Sequence, residues 1–180
     1  HVFYGLADGS LHQICIYSQK VIKNYGRIHS APIHSMAVSR DNSFLITGGE
    51  DKRVTKISIP NQKNVKNFGK ILNDPTASIQ LAPGDVSLFV SDYYSWLKLI
   101  ELNDGTTLHN FGRVHKYSES GLQQTCFVTG DGEYLFTVSH RGEFKQWSVR
   151  GRALLQVFEL KPLTDSIRVC RVSKNSKERK

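Results

Sequence analysis

The sequence predicts an all-β fold of repeated four-stranded antiparallel units, and three observations carry that prediction. Four stretches share one layout, with two short runs of alternating apolar residues around a tight polar turn. They are HVFYGLADGSLHQICI (His1 to Ile16), FLITGGEDKRVTKISI (Phe44 to Ile59), SLFVSDYYSWLKLIEL (Ser87 to Leu102) and YLFTVSHRGEFKQWSV (Tyr134 to Val149). A second landmark, an aromatic residue followed by Gly and a basic residue, recurs as Tyr25-Gly26-Arg27, Phe68-Gly69-Lys70 and Phe111-Gly112-Arg113, with a weaker copy at Phe158-Glu159. The landmark repeats at steps of 43, 43 and 47 residues, and the same steps relate Leu11, Val54, Leu97 and Phe144 inside the hairpins. A period of roughly 40–45 residues with four short strands per unit is the signature of a β-propeller.

Each unit reads in the same order. An innermost strand comes first: Ile33 to Ser39, Ala77 to Ala82, Leu122 to Thr129 and Ile167 to Ser173. A polar turn follows, such as Arg40-Asp41-Asn42 or Gly130-Asp131-Gly132, and then the hairpin supplies strands two and three. In the fourth hairpin Gly142 suits the turn because it takes positive φ without a Cβ penalty. The outer strand ends in the aromatic-Gly-basic landmark. Blades are therefore expected at about 1–27, 33–69, 77–112 and 122–160, with the first strand of another at 167–173 and a basic tail at 174–180. The expectation is an incomplete propeller, an open arc of about four blades cut from a longer protein.

Composition agrees with a folded β domain. Of 180 residues, 39% are hydrophobic and 22% charged, enough apolar material for a core. Three widely spaced cysteines (Cys15, Cys126, Cys170) argue against a disulfide framework and for an intracellular, cytoplasmic setting. No apolar run reaches the roughly 18 residues of a membrane span. The formal charge of +8 is partly the tail, where four basic residues accompany one acid.

At this point the repeats resemble the WD-repeat family over about residues 1–173. In that family a His from the inter-blade loop, a Ser or Thr on the second strand, an Asp in the hairpin turn and a Trp on the third strand hydrogen-bond in a chain. The resemblance implies these structural roles for His29, Thr47 and Asp51 in the second blade, where Ile57 replaces Trp, and for His115, Thr137 and Trp147 in the fourth, where Arg141 replaces Asp. The first blade keeps Asp8. The third has Leu72, Val90, Tyr94 and Ile100 at the four positions and keeps none. The resemblance further implies a protein-interaction platform.

The residues suggest binding rather than chemistry. There is no GxSxG elbow and no phosphate-binding GxxxxGK[ST] loop. The His and Cys residues lack ligand spacing, so neither a metal nor a cofactor is expected, nor a small-molecule substrate. The hairpin tips differ between blades, and Tyr93, Tyr94 and Trp96, flanked by Lys52, Arg53, His140 and Arg141, make the candidate surface for a protein or peptide partner, since Tyr and Trp are frequent binding hot spots. A second candidate is the basic rim of Arg27, Lys70 and Arg113 with Lys23 and Lys66. It protects sheet edges in one reading and docks on an anionic membrane or RNA in the other.

Overall fold

The computed structural model describes residues 1–61, 63–116, 125–139 and 141–159. His140, Cys170, the expected strand 167–173 and the tail 174–180 lie outside the described residues. Among those described, every regular element is a strand. The first sheet holds β1 (Val2–Gly5), β2 (Ser10–Cys15) and β3 (Lys20–Arg27). The second holds β4 (Ile33–Val38), β5 (Phe44–Gly49), β6 (Arg53–Ser58) and β7 (Lys63–Lys70). The third holds β8 (Thr76–Leu81), β9 (Ser87–Asp92), β10 (Trp96–Glu101) and β11 (Thr107–Arg113). The fourth holds β12 (Thr125–Val128), β13 (Tyr134–Val138), β14 (Glu143–Ser148) and β15 (Ala153–Glu159). Each strand pairs antiparallel with its sequence neighbour in the same sheet. The fold class read from the sequence, an open arc of antiparallel blades, is the one observed.

Register reproduces the repeat residue by residue. Leu11, Val54, Leu97 and Phe144 sit on the corresponding strands β2, β6, β10 and β14, opposite Gly5, Gly48, Ser91 and Val138. The landmark glycines have a local cause. Gly26, Gly69 and Gly112 have φ of 73°, 70° and 73°, a region open to glycine at no steric cost. Their N–H groups donate to the side-chain oxygens of Asn24, Asn67 and Asn110 at 2.8, 2.8 and 3.0 Å. The pairing with the adjacent strand slips close to each, so the outer strand carries a bulge that bends it at its end.

The core lies between sheets. Leu11 of the first packs with Leu45 and Ile57 of the second. Ile46 and Val54 of the second pack with Ile79 and Val90 of the third. Phe89 and Leu97 of the third pack with Leu135 and Trp147 of the fourth. Contact is close enough to require glycine: a Cβ on Gly5 would lie 2.6 Å from Ile33 Cβ, and one on Gly48 2.5 Å from Thr76 Cγ2. Repeated hydrogen bonds fasten neighbouring sheets. Near the inner strands the Ile79 N–H donates to Ser35 Oγ at 2.9 Å and the Cys126 N–H to Ser78 Oγ at 3.4 Å. On the outer side Lys23 Nζ donates to the Ile59 carbonyl at 3.1 Å and Lys66 Nζ to the Asn103 carbonyl at 2.5 Å. Because strands alternate in direction, the β5–β6, β9–β10 and β13–β14 turns share one end of the blades with the connections that join one sheet to the next.

Candidate functional site

At that end, polar side chains tie each hairpin to the preceding connection. In the second blade Thr47 Oγ1 donates to His29 Nε2 (2.8 Å), and the His29 Nδ1–H donates to Asp51 Oδ1 (2.9 Å). The second Asp51 oxygen accepts the Ser30 N–H at 3.0 Å. Burial pushes the Asp51 carboxyl up, but the Ser30 amide, His29 and the Arg53 amide outweigh it and hold it below the ordinary range. In the fourth blade the Trp147 indole N–H donates to Thr137 Oγ1 at 3.0 Å, and Thr137 donates to His115 Nε2 at 2.9 Å. His115 Nδ1 then meets Glu143 Oε2 at 2.5 Å. Burial lowers the His115 pKa, against the opposing pull of Glu143.

Glu143 is a residue that sequence reasoning missed. The register position of Asp51 is held by Arg141 in this blade, and the longer Glu side chain two residues later reaches the same histidine. The third blade shifts its acid the other way. Asp92, fully buried, stands two residues before Tyr94 and accepts the N–H groups of Tyr94 (3.0 Å) and Trp96 (2.9 Å) through Oδ1 alone. Asp92 occupies the register of Gly49, where a Cβ would lie 2.7 Å from His29 Nδ1. Leu72 stands where the second blade has that histidine, so the third blade has room for a side chain that the second excludes. A signal existed in the sequence: each hairpin turn keeps at least one acid within two residues of the expected position.

The aromatic candidates come together on the β9–β10 turn. Trp96 is 38% exposed and carries the Arg113 guanidinium over its ring at 5.9 Å. Tyr93 and Tyr94 are half-buried, and the His34 ring of the second blade lies 5.3 Å from that of Tyr93. Lys52 reaches across to the third blade, donating to the Asn73 carbonyl at 2.5 Å and facing Asp74 at 3.7 Å. Arg53 and Arg141 are exposed in the neighbouring hairpins.

No family model matches the sequence, and no curated protein does. Among solved structures, the WD40 β-propeller domain of Doa1 superposes with a TM-score of 0.70 at 19% identity, covering 88% of this chain and 50% of that one. The fold is a partial β-propeller. The chain spans half the length of the Doa1 structure it matches.

Within the propeller, the basic rim divides into two groups. Lys23 and Lys66 are the inter-blade clasps described above. Arg27 holds its own connection through the carbonyls of His29 (3.2 Å) and Ser30 (2.8 Å). Lys70 and Arg113 are exposed at the equivalent positions of the next two blades. Among the described residues no group of three or more His, Cys, Asp or Glu side chains could hold a metal. No helix there is long and apolar enough to cross a membrane. Buried Cys126 has its thiol pushed up to about 11 by desolvation, which leaves it a packing residue.

Proposed function

We propose that this chain is a non-catalytic recognition module for proteins or peptides, and that the β9–β10 turn of the third blade is its contact surface. The observation that carries this reading is the aromatic tip. Tyr93, Tyr94 and the exposed Trp96 cluster at the end of the blades where turns and connections meet, beside Lys52 of the neighbouring blade. Aromatic side chains with polar handles supply large contact area and are enriched at binding hot spots. Loops held on a rigid sheet frame suit such a role. The fold itself names no partner.

The test is capture from lysate by immobilised protein, compared with its Tyr93→Ala variant at about 50 and 200 mM salt. A partner retained at the higher salt by the parent and lost by the variant is the expected result. Capture identical in both sinks the surface. Capture that disappears with salt and ignores Tyr93 would instead transfer the interaction to Arg27, Lys70 and Arg113.

A further inference from the structure

Behind Trp96 lies a cleft of about 110 Å³, lined by Leu72, Asn73, Asp92, Trp96, Lys98 and Asn110. The second blade has a wider counterpart, lined at equivalent positions by His29, Ser30, Arg53 and Asn67, with Asp51 beside them. In the second blade both oxygens of the acid are engaged. In the third, Asp92 Oδ2 is buried and has no hydrogen-bond partner among the described residues. Leaving a buried acceptor unmatched is costly, and a residue placed at such cost is where function is expected.

We propose that this cleft receives the ammonium group of a lysine side chain presented by a partner polypeptide, with Asp92 Oδ2 as acceptor and the Trp96 indole as the wall for the lysine methylenes. The proposal rests on the interaction reading above and gives its partner a chemistry. A single unpartnered oxygen suits an ammonium, which is a point charge. A guanidinium prefers two oxygens at once. The volume holds the tip of one side chain, whereas ligand pockets for small molecules run from about 300 Å³ upward. The charged groups nearby are already engaged. Lys98 Nζ donates to the Ile71 carbonyl at 2.8 Å, Asp74 faces Lys52, and Arg113 lies over the outer indole.

Titration of Asp92 agrees with this geometry. Burial, aided by Asp74, pushes its carboxyl above the ordinary range despite the Trp96 and Tyr94 amides. A raised acid contributes stability below its unfolded pKa and loses that contribution as pH rises through the folded one. The ionised form is therefore the strained one, which a bound cation relieves and which Asp92→Asn removes.

The experiment uses the full ¹⁵N-labelled chain at pH 7, titrated with three capped tripeptides: Gly-Lys-Gly, the same peptide with Nε-acetyl-lysine, and Gly-Arg-Gly. The Trp96 indole N–H resonance is the reporter. The lysine peptide should move it saturably, acetylation should abolish the response, and the arginine peptide should bind at least about fivefold more weakly, the loss set by one unmatched fork. Asp92→Asn should raise Tm and lose the lysine response. A parent protein that answers all three peptides alike, or none, overturns the proposal without any variant. An Asp92→Asn variant that binds lysine like the parent overturns it as well. A parent blind to the peptides that still captures a partner through Tyr93 overturns the lysine site alone.

Discussion

Trp147→Ala is expected to destabilise the protein by about 3–5 kcal/mol, the usual loss for a large aromatic side chain removed from a core. Trp147 is 9% exposed and packs among Phe89, Leu97 and Leu135 at the interface of the third and fourth sheets. Its ring meets Phe111 edge-on at 5.6 Å, so the truncation opens a cavity between sheets and removes an aromatic pair. It also removes the indole donor that heads the chain through Thr137 and His115 to Glu143. Trp147→Phe keeps most of the packing and should lose less. Urea unfolding measures both, and an unchanged midpoint for Trp147→Ala would place the residue outside the core.

His29→Leu is expected to cost about 1–3 kcal/mol, because it removes the ring bonded to both Thr47 and Asp51 and leaves the buried Thr47 hydroxyl only a long 3.5 Å contact to the Thr55 carbonyl. His29 is 2% exposed and Thr47 fully buried, so water does not replace what is lost. The third blade shows the alternative solution. It has Leu72 and Val90 at these positions, both apolar and both buried. The double variant His29→Leu/Thr47→Val should therefore be more stable than the single one, because it removes the orphaned hydroxyl together with its partner. Additive losses in the double-mutant cycle would mean that the two side chains do not act as a unit.

Much of this architecture was legible in the sequence, because a repeat states the same packing problem several times. The steps of 43, 43 and 47 residues placed Leu11, Val54, Leu97 and Phe144 on matching strands, and pairing observes that register. Other repeats were equally periodic and went unread. Asn24, Asn67 and Asn110 cap the bulges, Ser35 and Ser78 bridge sheets, and Lys98 and Lys145 hold the connection carbonyls of Ile71 and Val114 at 2.8 and 2.6 Å. Polar residues in surface-like segments look replaceable until their hydrogen-bond partners are known, and for the serines and lysines those partners lie on another blade or connection.

The acids were harder for a different reason. Asp51, Asp92 and Glu143 serve related turns from three registers, so a position-by-position comparison reports two losses where there are two displacements. Reach explains Glu143, whose side chain is one methylene longer. Space explains Asp92, which fits only because Leu72 has replaced a ring. Charge counts miss a third feature: Lys23 and Lys66 belong by sequence to the basic rim, and each is tied to a carbonyl of the next blade.

The claim on which all of this stands is that consecutive sheets pack face to face in one repeated geometry. Nuclear Overhauser contacts from the Gly5 Hα to the Ile33 methyls and from the Gly48 Hα to the Thr76 methyl read it directly, since these pairs are one repeat apart and nearly touch. Two strong cross-peaks of similar intensity are the expected result. Absence of both, in a folded chain, would contradict the stacked arrangement.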